Sequence, residues 1–290
     1  MKDRKEILEV EETNELKEMS GGVAAFFDLD GTIVALPSLE RKLFRILQYQ
    51  RLIGTKNYLL WLKEAIRLMP RGLSAILHSN KMYLRGMHIF DECGEAGSNV
   101  SPRHKDGHQA GGQASAPLRR NPRLPVPTFF VQAIERVAWH AQQGHEIMLV
   151  SGTLESLARN AACALEAELV VRGIAVTVRV RATRLEEMNG KWTGRILGDA
   201  MFGKAKVRAA KSLASELHLD LARCYAYGDS ISDRRLLAAV GKPVAVNPSE
   251  DLAAMARARG WPILIWEEKE IPTQRRRGIA EKKEESSATA

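Results

Sequence analysis

The sequence predicts an α/β fold: a parallel sheet covered on both faces by helices, with a small helical domain inserted after the first strand. Three observations support this prediction. Short apolar runs alternate with amphipathic helical stretches along most of the chain. One stretch after the first apolar run is helical throughout and interrupts the alternation. The 290 residues are 45% hydrophobic, which is enough to bury a core.

The individual elements follow from local patterns. Strands are predicted at VAAFFDLD, EIMLVSG, RCYAYGD, PVAVN and PILIWE, and helices at stretches such as LESLARNAACALEAE and AKVRAAKSLASELHL. Within the inserted segment, apolar residues recur at three and four positions, and Pro70 divides two helices. A hairpin is expected in ATRLEEMNGKWTGRI, because Asn189-Gly190 favours a type I′ turn.

Composition divides the chain into segments. Residues 94–127 are poor in apolar side chains and rich in Gly, Pro, Ser and Gln, which predicts a flexible insertion. The two ends lack apolar residues that would anchor them. The predicted division is a lead at 1–20, a core at 21–36 and 128–266, a helical insertion at 37–93, a flexible insertion at 94–127 and a disordered tail at 267–290.

Charge and cysteine content limit the class of protein. The net charge is +8, but the basic residues are scattered, a pattern that favours phosphorylated small molecules about as readily as nucleic acid. Three cysteines without CxxC spacing indicate neither a disulfide framework nor a zinc site. No signal peptide is evident, and no apolar run approaches the ~20 residues of a membrane span. We therefore expect a cytoplasmic protein without a transmembrane segment; the oligomeric state stays open.

The first predicted strand ends in two acids. Asp28 and Asp30 would emerge at the carboxyl end of the strand, where parallel sheets open into a ligand crevice. Two like charges held close together repel, and a nearby cation is the simplest compensation. Gly31 permits a tight turn, and Thr32 adds a hydroxyl donor at the same point. A simple Asp-rich turn is the alternative interpretation.

Later strand ends are polar as well. Ser151 and Gly152 would combine a hydroxyl with free backbone N–H groups at a helix N-terminus, which suits an anion, although an ordinary helix cap is the alternative. Asp229 and Asp233 lie four residues apart after a third strand, and they would supply further oxygens to a Mg²⁺ ion. The acids could instead complement the dipole of the next helix.

Two lysines begin a predicted helix, the end where the helix dipole disfavours cations. Lys204 and Lys206 therefore need a counter-charge, which Asp28 or a bound phosphate could provide. Whichever lysine is not recruited would lie on the solvated surface.

The order DLDGT, SGT, lysine and GDSISD resembles the four motifs of the haloacid dehalogenase superfamily of phosphohydrolases. The similarity runs from about Val23 to Trp266, apart from residues 94–127. The segments GKAKV, YAYGDSISD and VAVNPSEDL are similar to subfamily IB, the phosphoserine phosphatase-like branch. The resemblance implies a Rossmann-like core with an inserted helical cap of the C1 type, and a small phosphorylated substrate with no nucleic-acid partner.

The resemblance also implies roles for individual residues. Asp28 would attack phosphorus, and Asp30 would protonate the leaving oxygen and later activate water. The expected Mg²⁺ ligands are the Asp28 carboxylate, the Asp30 backbone carbonyl and Asp229, with Asp233 acting through water or in support. The expected phosphate-binding groups are Thr32, Ser151 and Gly152. Lys206 aligns with the lysine of the family pattern, and Lys204 is the alternative.

The substrate is less well defined. Phosphoserine phosphatases usually carry a glutamate where this chain has Pro37, with Glu40 nearby, so phosphoserine itself is one option. A phospholipid-derived or polyol phosphate is a second option, given the apolar text from Tyr58 to Trp61. The dehalogenase branch needs neither the second aspartate nor a metal, so Asp30 and Asp229 together argue against it. A non-catalytic protein that binds acidic partners is the alternative of another class.

Overall fold

The computed structural model describes residues 21–88 and 124–267. Its strands are β1 (Ala24–Phe27), β2 (Glu146–Leu154), β3 (Val178–Thr183), β4 (Leu185–Met188), β5 (Lys191–Ile196), β6 (Tyr225–Gly228), β7 (Lys242–Val246) and β8 (Ile263–Leu264). Six of them form one sheet in the order β3-β2-β1-β6-β7-β8, and every pairing in it is parallel. The predicted α/β fold with a parallel sheet is confirmed.

The sheet is covered on both faces, as the apolar runs require. Its flanking helices are α4 (Val131–Gln142), α5 (Glu155–Val171), α6 (Lys204–Glu216), α7 (Arg234–Leu237) and α8 (Glu250–Arg259). Successive residues of β1 point to opposite faces. Ala25 and Phe27 join a core cluster with residues of α4 and α5, whereas Ala24 and Phe26 join a second cluster with α6, α7 and α8. All four side chains are fully buried, which explains why β1 is an uninterrupted run of apolar residues.

One edge strand was missed in the sequence. In β3, arginines alternate with apolar residues, as in Val178, Arg179, Val180 and Arg181, and the valines are buried. This strand pairs only with β2 within the described sheet, and Arg179 forms an ion pair with Glu146 of β2. Half-buried edge strands carry a weaker hydrophobic signal than central strands of a parallel sheet.

The segment after β1 is helical. It contains α1 (Leu39–Tyr49), α2 (Thr55–Leu68) and α3 (Leu73–Ser79), with short 3₁₀ turns at Met69–Arg71 and Met82–Leu84. The Ser38 side chain caps α1 by accepting from the Arg41 backbone N–H at 3.3 Å. Pro70 lies in the turn between α2 and α3, as predicted. Assignment of residues 37–93 to a separate cap domain stays a prediction.

The predicted hairpin forms between β4 and β5. Asn189 and Gly190 both have positive φ, 53° and 70°, which a type I′ turn demands. The hairpin is more than a surface feature, because Trp192 of β5 is buried in the main core cluster. Trp192 also exchanges backbone hydrogen bonds with Gly86 and Met87, at 2.8 and 3.0 Å, so the hairpin is tied to the helical segment.

The predictions for residues 1–20, for residues 94–123 and for the tail after Glu267 lie outside the described residues. The last part of the predicted flexible insertion is described. There, Leu124 packs against the core, and the Pro125 carbonyl accepts a hydrogen bond from Asn160 at 3.4 Å.

The cysteine prediction needs a correction. Cys224 is a free thiol in the core, but Cys163 of α5 is disulfide-bonded. The lack of CxxC spacing does not exclude a disulfide, because folding can bring together cysteines that are distant in sequence. The disulfide at Cys163 therefore does not support a reducing compartment, and a cytoplasmic location stays a prediction. Among the described helices, none has the length and apolar character to cross a membrane.

Candidate active site

The carboxyl ends of three neighbouring strands open into one cavity of about 1010 Å³. Asp28 and Asp30 follow β1, Ser151 and Gly152 lie in β2, and Asp229 follows β6; all five line this cavity. The order of the strands explains this convergence, since β1 lies between β2 and β6. Residues separated by as many as 200 positions therefore meet at one edge of the sheet.

Three carboxylates form an acidic cluster there. Asp28, Asp229 and Asp233 each offer an oxygen atom, and these atoms lie within 4.8 Å of one another. Burial raises the pKa of Asp28 to about 6. Burial, together with repulsion from Asp28 and Asp233, raises the pKa of Asp229 to about 8. The cluster thus holds more negative charge than its protein surroundings stabilise.

Lys206 provides the counter-charge. Its Nζ atom lies 2.8 Å from Oδ1 of Asp28 and 2.6 Å from Oδ1 of Asp233, and the side chain is 1% exposed. Burial alone would lower the pKa of Lys206, but the ion pairs with Asp233 and Asp28 outweigh burial and raise it. Lys204 is exposed to solvent.

Asp233 is held from its other side as well. Its Oδ2 atom accepts from the backbone N–H of Ser230 at 3.2 Å and from the Ser230 hydroxyl at 3.0 Å, which completes a capping box. Both oxygens of Asp233 are therefore engaged by protein groups.

Glycines make room for the acids. A Cβ atom at Gly31 would lie 2.2 Å from Oδ2 of Asp229, and Gly31 also has φ of +85°. A Cβ atom at Gly228 would lie 2.6 Å from Cβ of Asp233. The glycine after the first acid pair is thus required by close approach as well as by the turn.

Asp30 occupies a different position from the other acids. Its Oδ1 atom accepts from the Leu39 backbone N–H at 2.8 Å, and its Oδ2 atom accepts from the Thr153 hydroxyl at 2.7 Å. Burial raises the pKa of Asp30 despite these two donors. The Asp30 carboxylate is not a member of the acidic cluster of the described residues. A carboxyl group with a raised pKa, held at the cavity wall, is suited to proton transfer.

The predicted phosphate-binding residues are only partly brought together. Ser151 and Gly152 line the cavity, and the Ser151 hydroxyl accepts from the Thr153 backbone N–H at 3.3 Å. Thr32 is fully buried, and its hydroxyl oxygen has no hydrogen-bond partner among the described residues. Thr32 does not line the cavity, so the structure does not place it with Ser151 and Gly152.

Sequence reasoning found only part of the remaining cavity wall. Lys81 and the Tyr83 hydroxyl both donate to Oε1 of Glu40, and Lys81 is 3% exposed. Aromatic and apolar residues also line the cavity, namely Phe44, Tyr58, Trp61, Ile76, His78, Phe202 and Ile231, together with the polar Ser38, Arg41, Asn80, Ser230, Ser232 and Arg234. The sequence suggests substrate contacts for Glu40, Tyr58 and Trp61, but it gives no signal for Lys81 or for Phe202, which lies in a loop without a motif.

Comparisons with known proteins place the chain in a family. Residues 25–238 match the haloacid dehalogenase-like hydrolase family. A probable phosphatase of Mycobacterium tuberculosis (strain H37Rv) is 31% identical over 244 residues, which cover 83% of this chain and 74% of the relative. A phosphoserine phosphatase of the same strain is 36% identical over 129 residues, 44% of this chain and 39% of the relative. The chain therefore belongs to the haloacid dehalogenase-like hydrolase family.

Within that family the chain is a phosphatase and is similar to the phosphoserine phosphatases. A solved structure has the same fold: a protein of unknown function from Bordetella pertussis Tohama I. It is 24% identical, has a TM-score of 0.57, and the match covers 84% of this chain and 99% of that one.

The acidic cluster fits a magnesium ion. Mg²⁺ in phosphoryl-transfer sites is held by one or two carboxylates together with waters and substrate oxygens. Asp28 and Asp229 offer such carboxylates at the cavity, while Asp233 is already bound to Lys206 and Ser230. The raised pKa values of Asp28 and Asp229 show that the cluster favours further positive charge.

Proposed function

We propose that this phosphatase is a Mg²⁺-dependent phosphomonoesterase that acts on a small phosphorylated metabolite through a phosphoaspartyl intermediate. The observation that carries the proposal is the position of Asp28, which lies at the cavity, pairs with buried Lys206, and stands beside Asp30 and Asp229. A nucleophile, a proton donor and an acidic metal site are the parts that such a reaction needs.

Asp28 is the proposed nucleophile. A carboxylate attacks only when it is ionised, and the ion pair with Lys206 favours the ionised form against the opposing effect of burial. Attack on phosphorus forms an O–P bond to Asp28 and breaks the bond to the leaving oxygen. Lys206, the Ser151 hydroxyl and the Gly152 backbone N–H then stabilise the charge on the phosphoryl oxygens.

Asp30 is the proposed acid and base. Its raised pKa supports a protonated form that gives its proton to the leaving alcohol oxygen. The resulting carboxylate then takes a proton from the water that attacks the phosphoaspartyl group. Hydrogen bonds from Leu39 and Thr153 hold both carboxyl oxygens in place through both steps.

Asp28, the Asp30 backbone carbonyl and Asp229 are the proposed magnesium ligands, with Asp233 in a supporting position. When bound, the ion neutralises charge on the cluster and on the phosphoryl group. Asp233 keeps Lys206 in position at the same time, because it shares that lysine with Asp28.

The proposal is tested by hydrolysis of p-nitrophenyl phosphate with MgCl₂ and with EDTA. We expect Asp28→Asn to lower kcat at least about 1,000-fold, because the amide is a poor nucleophile. The matched control is Asp251→Asn, an exposed acid of α8, which should retain wild-type activity. Rapid quenching should trap labelled phosphate on the wild type and none on Asp28→Asn. Mg²⁺-independent turnover, or an active Asp28→Asn variant, would contradict the mechanism.

The identity of the metabolite has two candidates. One relative is a phosphoserine phosphatase, and the amino group of phosphoserine would need an acidic partner near Glu40. A phospholipid-derived or polyol phosphate is supported by Tyr58 and Trp61, which line the cavity. Leu59 of the same apolar segment is 66% exposed and does not line the cavity.

A further inference from the structure

The cavity extends well beyond the acids at the strand ends. Its volume of about 1010 Å³ lies at the upper end of the range of about 300–1,000 Å³ for pockets that hold drug-sized ligands. One wall of the cavity comes from α1, α2 and α3 and carries Phe44, Tyr58, Trp61 and Ile76. A phosphate group and a three-carbon leaving group would leave most of this wall without contact.

An aromatic surface reaches as far as the proposed phosphate-binding residues Ser151 and Gly152. A Cβ atom at Gly152 would lie 2.1 Å from the tip of the Phe202 ring, so that ring rests directly on this part of β2. The ring centroid of His78 on α3 lies 3.9 Å from that of Phe202. Both rings line the cavity, and together they connect the phosphate end to the helical wall.

The acid that could receive an ammonium group is already neutralised. Among the described residues that line the cavity, Glu40 is the one carboxylate from the helical segment between residues 39 and 88. Its Oε1 atom accepts from Lys81 and from the Tyr83 hydroxyl, the latter at 2.9 Å. Lys81 is 3% exposed and thus fixed beside Glu40. A substrate ammonium would face a lysine in the same place, which is unfavourable.

We propose that the site selects phosphomonoesters of alcohols that carry an aromatic ring, with Phe202 as a specificity-determining residue, and disfavours phosphoserine. This inference rests on the proposed phosphomonoesterase function. Rings that enter an apolar aromatic wall gain burial and offset or edge-to-face contacts. A short polar leaving group gains neither and leaves the wall hydrated. Selection against phosphoserine follows from the Glu40–Lys81 pair, which leaves no uncompensated carboxylate for its amino group.

The test compares substrates with equally basic leaving groups. The ring of 3-phenylpropyl phosphate is three carbons from the ester oxygen, and propyl phosphate lacks it, so the chemical reactivity of the two esters is matched and their binding differs. We expect kcat/KM of the wild-type enzyme with Mg²⁺ to be at least about 30-fold higher for the phenylpropyl ester. O-Phospho-L-serine should fall below propyl phosphate. Equal or reversed values for the two alkyl esters, or a preference for phosphoserine, would overturn the inference.

Variants assign the selectivity to residues. Phe202→Leu keeps an apolar side chain but removes the ring, and it should lower kcat/KM for the phenylpropyl ester about tenfold more than kcat/KM for the propyl ester. Trp139→Leu, a half-exposed aromatic residue on α4 outside the cavity, is the matched control and should change neither value. An equal loss for both esters in Phe202→Leu would indicate a structural role and overturn the assignment.

The Lys81→Met substitution should change the selectivity in the opposite direction, toward phosphoserine. Removal of the ammonium frees the Glu40 carboxylate, so the ratio of kcat/KM for phosphoserine over propyl phosphate should rise at least about fivefold. An unchanged ratio in a folded variant would contradict the neutralisation argument. If Lys81→Met does not fold, the wild-type comparison and Phe202→Leu still decide the inference.

The proposed function and the proposed substrate class would be contradicted by different results. Without hydrolysis of any phosphomonoester in the presence of Mg²⁺, the proposed function itself is wrong. With hydrolysis of propyl phosphate or phosphoserine at least equal to that of the phenylpropyl ester, the function stands and only the substrate class is wrong.

Discussion

Lys204 and Lys206 are two residues apart at the start of α6, yet their surroundings are opposite. Two positions on a helix differ by about 200°, so one lysine faces solvent when the other faces the sheet. Lys206 pairs with both Asp28 and Asp233, whereas Lys204 is exposed. The sequence left both lysines as candidates, and the helix direction distinguishes them by contact. The catalytic role of Lys206 remains a proposal.

Substitution of each lysine in turn tests the assignment of the catalytic role to Lys206. Lys206→Met should lower kcat for p-nitrophenyl phosphate at least about 100-fold, because it removes a preorganised contact to the phosphoryl charge. Lys204→Met should stay within about twofold of wild type. Lys206→Met also leaves Asp28 and Asp233 buried without their partner, so its fold is checked by circular dichroism and urea unfolding. Lys206→Arg keeps the charge and serves as the milder variant. A larger loss in Lys204→Met would contradict the assignment.

Helix α4 and strand β6 are joined by a buried polar chain. The His140 Nε2 atom lies 2.8 Å from the Tyr227 hydroxyl, and its Nδ1 atom lies 2.8 Å from Nδ1 of His145. Phe27 of β1 stacks on the Tyr227 ring with centroids 4.5 Å apart. His140 is fully buried, and burial lowers its pKa to about 3. The folded protein therefore keeps this imidazole neutral.

This histidine makes stability dependent on pH. The pKa of about 3 in the folded state lies below the 6.5 of an unperturbed histidine, so the unfolded chain binds one more proton between these values. The free energy of unfolding should thus fall as pH falls below 6.5, by about 1.4 kcal/mol per pH unit within the window. In His140→Gln this contribution should disappear, as measured by urea unfolding from pH 7.5 to 4.5. His218→Asn, at an exposed histidine, is the control. Parallel profiles for wild type and His140→Gln would refute this account.

At the scale of the whole molecule, the site exists only where several parts of the chain meet. The strand ends supply the acids, and the helices after β1 supply the opposite wall. The hairpin of β4 and β5 fastens the end of that helical segment through Trp192. Three buried or half-buried acids around one lysine leave the folded molecule with an excess of negative charge at one point.

Metal binding should therefore stabilise the folded state. An ion that binds the assembled cluster but not the unfolded chain adds about 2.7 kcal/mol at one hundred times its Kd, which is a rise in Tm of several degrees. We expect MgCl₂ to raise the Tm of the wild type in calorimetry, and EDTA to reverse the rise. Asp229→Asn should show little or no response, whereas Asp251→Asn should respond as the wild type does. An equal shift in Asp229→Asn would place the bound ion elsewhere.

Much of the fold followed from local pattern, because each signal is carried by neighbouring residues. The apolar run of β1 predicted a buried parallel strand, and Asn189-Gly190 predicted the hairpin; both are confirmed. Edge strand β3 and the disulfide at Cys163 were missed. Alternating arginines weaken the strand signal, and no local pattern encodes which cysteines meet.

By itself, the sequence determined the class of fold, the family, and the acidic and hydroxyl residues at the ends of the strands. Sequence motifs and hydrophobic periodicity reveal these features because both are local properties of the chain. Only the tertiary structure decided which of two lysines reaches Asp28, that Thr32 is buried away from the cavity, and that Lys81 neutralises Glu40. These outcomes depend on helix direction, strand order and packing between segments that are far apart in the chain. The physical reason is that charge and burial at a site are sums over neighbours in space, and neighbours in space are set by the fold.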